Sequence, residues 1–268
     1  LRVDKKPAAP GDVVLSVKDL KVTDGAGVER VKGISFDIRA GEIYGIAGVA
    51  GNGQSELMEV LGGMRTGTGT ITLNGDPVDL TGKYSDGQSR RERGISHVPE
   101  DRHDEGLILD YTAWENTIFG YHRDPKWSSG PLMNNAAIIQ EAEAKMQRFD
   151  VRPPIPTLKA KSFSGGNQQK IVLAREIEKN PDLLLVGQPT RGVDIGAIEF
   201  IHQEIIRLRD EGKAILLVSV ELDEIRSLSD RIAVMFDGKI MGERDPETTD
   251  ERELGLMMAG ISEEPDKP

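Results

Sequence analysis

The sequence predicts an α/β fold: a mostly parallel core sheet with helices on both faces, an antiparallel β portion near the start and an inserted α-helical portion. Three observations carry this. Strand-like and helix-like stretches alternate on either side of a helix-rich middle, and such alternation builds parallel sheets. The run Leu183-Leu184-Leu185-Val186 is apolar throughout, as buried parallel strands are. Another apolar run, Ile43-Tyr44-Gly45-Ile46-Ala47, passes through a glycine-rich loop directly into a helical stretch, Glu56-Leu57-Met58-Glu59-Val60-Leu61.

Local chemistry predicts each element in turn. Residues 1–11 are rich in proline and alanine and read as a linker. Val13-Val14-Leu15-Ser16-Val17 and Ile34-Ser35-Phe36-Asp37-Ile38 alternate as strands, with Asp24-Gly25 as a hairpin signal between them. Thr70-Ile71-Thr72-Leu73 followed by Asn74-Gly75 is a second hairpin signal. The character changes over 107–160. Asn135 to Phe149 is alanine- and glutamate-rich, with Ile138, Ile139, Ala142 and Met146 near helical spacing, and Pro153, Pro154 and Pro156 stop it. Ser164 is placed to cap a helix that starts near Asn167 and runs to Asn180-Pro181. Beyond Val186, the residues Ile198, Ile201, Ile205 and Leu208 share one helix face, and Gly212 is a stop signal. A strand from Ala214 to Ser219, a short helix near Glu221 and a hairpin at Asp237-Gly238 complete the pattern. The expected organisation is a linker (1–11), one domain (12–260) with a helical subdomain at about 103–180, and a charged tail (261–268).

Composition narrows the function classes. The net charge of the 268 residues is −11, which argues against a nucleic-acid footprint. There is no cysteine, which excludes a disulfide framework and fits a cytosolic bacterial protein. No apolar run approaches the roughly 18 residues of a spanning helix. No signal peptide is visible: Lys5-Lys6 is followed by proline rather than an apolar stretch. Any membrane role is therefore expected to run through a partner. The first residue is Leu1, not methionine, as expected of a fragment.

Two segments bear on chemistry. The loop Gly48-Val49-Ala50-Gly51-Asn52-Gly53-Gln54-Ser55 fits the phosphate-binding pattern G-x-x-x-x-G-K-[ST] at every fixed position except the lysine, which is Gln54. Glycines let backbone N–H groups turn toward phosphate oxygens, the helix N-terminus adds partial positive charge, and Ser55 keeps a hydroxyl for Mg²⁺. Gln54 is able to donate a neutral hydrogen bond but not to neutralise a phosphate. In a nucleotide hydrolase the second strand ends in an aspartate for Mg²⁺, often followed by a glutamate for the attacking water. Here Leu183–Val186 ends in Gly187-Gln188-Pro189-Thr190, where neither residue carries negative charge. The histidines at 97, 103, 122 and 202 show no metal-ligand spacing and read as surface or capping residues.

These motifs in this order resemble an ATP-binding cassette of the ABC transporter family, over roughly residues 11 to 260. Ser162-Phe163-Ser164-Gly165-Gly166-Asn167-Gln168-Gln169-Lys170 is similar to the family's signature, and Thr190-Arg191-Gly192-Val193-Asp194 to its D-loop. Asp194 reads equally as an N-cap of the next helix. Three features resemble, more narrowly, the second half of a tandem ATPase of the simple-sugar and nucleoside importer group. They are the segment Asp4-Lys5-Lys6-Pro7-Ala8-Ala9-Pro10-Gly11, the charged turn Val98-Pro99-Glu100-Asp101-Arg102 at the Q-loop, and Gln54 together with Gln188-Pro189-Thr190. The last pairing is closest to the nucleoside branch, which uses lipoprotein solute-binding proteins.

The resemblance implies a set of roles. Gly48, Val49, Ala50, Gly51, Asn52, Gly53, Gln54 and Ser55 would meet nucleotide, Ser55 would touch the metal weakly, and Ser164, Gly165, Gly166 and Asn167 would face a partner cassette's ATP. Glu100 stands at the Q-loop position and Asp194 in the D-loop. The chain's own site would lack catalysts, because Gly187, Gln188 and Val220 replace the acids and the switch histidine, and no aromatic lies between Leu15 and Ser35 to stack adenine. ATP and Mg²⁺ would be bound weakly by this half. The implied partners are the N-terminal cassette of the same polypeptide, two transmembrane permease subunits and an extracytoplasmic solute-binding protein or lipoprotein, with no nucleic acid. The implied place is the cytoplasmic face of the bacterial inner membrane. Tyr111, Trp114, Ile118 and Phe119 are expected to form a groove for a permease helix. A soluble nucleotide-sensing regulator of the same family, without transport, is the alternative. A translation or repair ATPase would call for basic surface, which this composition lacks.

Overall fold

The computed structural model describes residues 3–129 and 132–261, so all but the first residue of the expected tail (261–268) and the first two linker residues lie outside the described residues. The chain divides into two compact units. The first takes in residues up to His97, Pro181–Gln188 and those from His202 onward; the second takes in Val98–Asn180 and Pro189–Ile201.

The first unit holds two sheets. One is antiparallel, from β1 (Val13–Thr23), β2 (Glu29–Arg39), β4 (Thr68–Leu73) and the short β5 (Asp76–Pro77), in the order β2-β1-β4-β5. Val17 faces Phe36 on one side and Ile71 on the other, so the alternating apolar residues share one buried face. Asp24 explains the first hairpin: its carboxylate accepts from the Ala26 and Val28 amides, both at 2.9 Å. Between the sheets in sequence come β3 (Ile43–Ala47), α1 (Gln54–Gly62), α2 (Gly87–Glu92) and β6 (Ile95–Val98). The other sheet adds β9 (Leu183–Gly187), β10 (Ala214–Ser219), β11 (Arg231–Phe236) and β12 (Lys239–Arg244), in the order β12-β11-β3-β10-β9-β6. β11, β3, β10 and β9 are mutually parallel, and β12 returns antiparallel through the turn at Asp237-Gly238. Both faces of β3, β9 and β10 are buried, which is why these runs show no polar alternation. Leu57, Val60 and Leu61 of α1 join the same core. α7 (Leu222–Leu228) and α8 (Glu251–Met258) complete the unit.

Residues 3–11 form no regular element, yet they dock. The Lys5 ammonium donates to the carbonyls of Leu228 at 2.9 Å and Ser229, and to Asp230 at 3.1 Å, which caps the C-terminus of α7. Arg209 donates to the Lys6 carbonyl at 2.8 Å, and the Gly11 amide to Ala40 at 2.9 Å. Burial pushes the Lys5 ammonium below its usual range, against the opposing pull of Asp230.

The second unit is mainly helical. It contains a single π turn (Arg102–Gly106), α3 (Ala113–Thr117), the small hairpin β7 (Ser128–Ser129) and β8 (Leu132–Met133), α4 (Asn135–Arg148) and α5 (Gly165–Ile177). α6 (Ile195–Asp210) begins here and continues into the first unit. α5 starts two residues earlier than expected, because Ser164 is the cap and Asn167 is the residue whose amide it receives, not the first helical residue. The four residues expected to line a groove divide between core and surface. Ile118 is buried with Trp127 and Ile138, and Trp114 packs against them, because a small helical unit needs these side chains for its own core; Tyr111 and Phe119 remain exposed.

Candidate functional site: a phosphate loop and a capped helix

In the first unit, parallel register brings three segments to one edge of the sheet. Ala47 pairs with Ser219, and Val218 pairs with both Ile46 and Gly187. The loop after β3, the Gly187-Gln188 step after β9 and Val220 after β10 therefore leave the sheet together, at the carboxyl ends where ligands of parallel sheets bind.

The loop closes on itself. Gly51 and Gly53 hold φ of 90° and 101°, which only glycine adopts freely. A Cβ at Gly53 would lie 2.3 Å from the Arg30 carbonyl oxygen, so the chain turns where no side chain fits. Asn52 joins the loop to the β11–β12 turn: its side-chain oxygen accepts from the Asp237 amide at 2.8 Å, and its carbonyl from the Gly238 amide at 3.0 Å. Gln54 is buried, and its side chain folds inward. Its Nε2 donates to the Val49 carbonyl and its Oε1 accepts from the Asn52 amide, both at 3.0 Å. A neutral carboxamide thus takes one of the loop's own backbone donors. Val49, Ala50, Gly51 and Ser55 are exposed, and Gly48 lies beneath the Gln54 amide.

The second neutral substitution is satisfied in the same way. Gln188 sits at φ 45°, donates its amide to the Val218 carbonyl at 2.8 Å, and its Oε1 accepts from the Val220 amide at 3.2 Å. Val220 itself is exposed. Gln188 and Val220 are thus joined by an uncharged hydrogen bond. Mg²⁺ is usually held by one or two carboxylates besides phosphate oxygens, and Gly187 and Gln188 supply none. At this edge the expected metal contact, Ser55, offers one neutral hydroxyl, and among the described residues no group of three or more His, Asp or Glu converges as a metal site.

The second unit presents a different surface. Ser164 is exposed and caps α5: its Oγ accepts from the Asn167 backbone amide at 3.4 Å and from Asn167 Nδ2 at 3.0 Å. The Asn167 side chain is otherwise committed to Arg152, donating to its carbonyl and accepting from its amide, both at 2.9 Å. Gly165 and Gly166 have a packing role. A Cβ at Gly165 would lie 2.6 Å from the Gly192 oxygen, and one at Gly166 would lie 2.7 Å from Asp194 Oδ2 and Ala197 Cβ. Asp194 accepts from the Ala197 amide at 3.0 Å and so N-caps α6. In the turn after β6, Asp101 accepts from the amides of His103 at 2.9 Å and Asp104 at 3.3 Å, bonds that hold its carboxyl below the usual carboxylate range. Glu100 next to it is half-buried.

One histidine and one arginine make contacts that residue type alone does not predict. His202 is buried with its Nε2 2.9 Å from Glu224, against the expected surface or capping role; His103 is exposed, as expected, with its Nε2 2.8 Å from the Gln168 side chain. Arg102, in the charged turn after β6, reaches beyond that turn. Its guanidinium donates to the carbonyls of Arg191 at 2.7 Å and Gly192 at 3.3 Å, a tertiary contact that no local pattern signals.

The family pattern described as ABC transporter matches residues 31–191. The chain belongs to the ABC transporter family. Its relatives include the guanosine import ATP-binding protein NupO of Bacillus subtilis (strain 168), 47% identical over 98% of this chain and 51% of that protein. The nucleoside import ATP-binding protein NupA of Lactococcus lactis subsp. cremoris (strain MG1363) is 48% identical over 96% of this chain and 50% of its own length. The chain therefore spans about half the length of these curated relatives. Among solved structures, the ATP-binding cassette MJ1267 of an ABC transporter superposes with a TM-score of 0.76 over 94% of this chain and 99% of that one, at 20% identity. That likeness concerns the fold alone: an ABC cassette with a parallel core sheet, an antiparallel sheet and helical parts. Within the family, the segments around Gly48–Ser55 and Ser164–Asn167 stand as the candidate phosphate loop and signature of an ATP-binding cassette.

Proposed function

We propose that this chain is the second nucleotide-binding half of an ABC importer ATPase, with a linker at 1–11, a cassette at 12–260 and its helical subdomain at about 103–180. One contrast carries the reading. The phosphate loop is closed by its own neutral side chain, whereas Ser164 stands exposed at the N-terminus of a 13-residue helix. In head-to-tail pairing, the N-terminal cassette of the same polypeptide would bring an intact phosphate loop to Ser164, Gly165, Gly166 and Asn167. There the Ser164 hydroxyl and the first N–H groups of α5 would meet the terminal phosphate of ATP. The span of half the relatives' length supports a tandem arrangement.

The chain's own site would bind ATP weakly and leave it intact. Loss of a positioned charged donor removes roughly 2–4 kcal/mol of transition-state stabilisation. Loss of a general base removes roughly a further 10²- to 10⁴-fold in rate. Gly187, Gln188 and Val220 supply no replacement.

The complete protein would import a nucleoside, or otherwise a simple sugar; the kinship with a guanosine importer and a nucleoside importer ATP-binding protein supports the nucleoside. Its partners would be two transmembrane permease subunits and an extracytoplasmic solute-binding protein or lipoprotein, with no nucleic acid. It would lie peripherally on the cytoplasmic face of the bacterial inner membrane. Among the described residues no helix is long and apolar enough to cross a membrane, so this attachment would run through the permeases.

The test compares two variants in the reconstituted transporter, reading ATPase and solute uptake. Ser164→Arg puts bulk and a cation where phosphate must approach and is expected to abolish both. Gln188→Ala is expected to leave both near wild type. The opposite pattern would make this chain's own loop the working one.

A further inference from the structure

We infer that Arg102 is a positioning residue for the signature surface, an inference that rests on the reading that Ser164 completes a partner's ATP site. The guanidinium donates to two successive carbonyls of the 190–193 turn, Arg191 at 2.7 Å and Gly192 at 3.3 Å. The same group borders the first turn of α5: a Cβ at Gly165 would lie 2.7 Å from Arg102 Nη2 and 2.6 Å from the Gly192 oxygen. Arg102 thus fills the seam between the signature helix and the D-loop of its own chain. Its neighbour His103 holds the same helix, with Nε2 2.8 Å from Gln168 Oε1. Asp194 closes the other end of the seam, capping α6 while its Oδ2 approaches Gly166.

The arrangement calls for arginine. A planar guanidinium reaches two adjacent carbonyls at fixed spacing; an ammonium is a single point of charge and satisfies them less well. Its geometric effect is to make three segments move as one: the charged turn at 100–103, the first turn of α5 and the turn at 190–193. Ser164 is aimed only as well as this piece is held. Donors that act on a phosphate in a closed site lose much of their value when misplaced by about an ångström. Arg102 touches no substrate in this scheme; it acts through Ser164 and the amides of Gly165 and Gly166.

Two measurements test this. In the 268-residue chain, hydrogen exchange of Arg102→Ala is expected to quicken at the amides of 190–194 and 165–168 while α4 keeps its wild-type rates. In the complete reconstituted transporter, Arg102→Ala is expected to lower kcat for ATP by about 10- to 100-fold, as a misplaced group does. KM for ATP should stay within about threefold, because the nucleotide is held by the other cassette's loop. Arg102→Lys is expected to recover part of kcat and part of the local protection. Acceleration of exchange throughout the second unit would mean that Arg102 only supports folding and would overturn the inference. So would a wild-type kcat in Arg102→Ala alongside a dead Ser164→Arg. If Ser164→Arg itself turns over normally, the underlying reading fails and the positioning role falls with it.

Discussion

At position 54 a carboxamide lies between the Asn52 amide and the Val49 carbonyl, where the family's loop would hold an ammonium. Gln54→Lys would add a charge and release the Asn52 donor in one step. The expected gain in ATP affinity is at most roughly 1.5–3 kcal/mol, the worth of a charged hydrogen bond. Hydrolysis should not return, because Gly187, Gln188 and Val220 are unchanged. Calorimetric titration and a turnover assay of the same variant check both halves, and recovered turnover would show that the edge at 187–220 still carries a catalyst. That Gln54 is uncharged was legible in the sequence. That it folds inward was not, because an exposed glutamine and a self-satisfied one are the same letter.

The first turn of α5 shows where local pattern succeeds and where it stops. Ser164 as cap follows from residue type, and so does the strand-loop-helix around Gly48–Ser55. The glycines at 165 and 166 look like phosphate glycines in sequence, yet each also faces backbone or side chain of the 190–197 segment at under 3.0 Å from a built Cβ. Gly165→Ala is therefore expected to destabilise the second unit by roughly 1–3 kcal/mol, the usual consequence of overpacking. Denaturant unfolding of that variant reads it directly, and an unchanged midpoint would show that the seam has room. The Asp101 carboxylate fastens the π turn of the same unit, with a folded pKa below its ordinary 3.8. Linkage fixes the sign: its contribution is present above that ordinary value and is lost as pH falls through the lowered folded value. Exchange at His103 and Asp104 should accordingly quicken only in acid, and Asp101→Asn should remove that pH dependence.

For the whole molecule, the isolated chain is expected to show ATP turnover far below about 1 s⁻¹, the low end of ordinary enzymes, at saturating Mg-ATP. Its nucleotide affinity should change little when Mg²⁺ is withheld, since no carboxylate follows Val186. Titration with and without the metal is the check, and a strong metal dependence would contradict this expectation. The parallel core and the hairpins were readable because buried strands and hairpin turns have strong local signals; the order of the strands in each sheet was not. The helical unit was less so: Trp114 and Ile118 are apolar and near the surface in sequence terms, and only packing decides that they face Trp127 and Ile138.

The docking of Lys5 has a mechanical meaning. A pull applied at Val3 would not peel β1 from its sheet. The load would pass through the Lys5 ammonium and the Lys6 carbonyl to the end of α7 and to Arg209, in shear across several polar bonds at once. Asp230, which receives Lys5, also accepts from the Ile43 amide at 2.9 Å at the start of β3. Tension at this end would thus arrive at the root of the strand that leads into the phosphate loop, making residues 3–6 a lever as much as a tether.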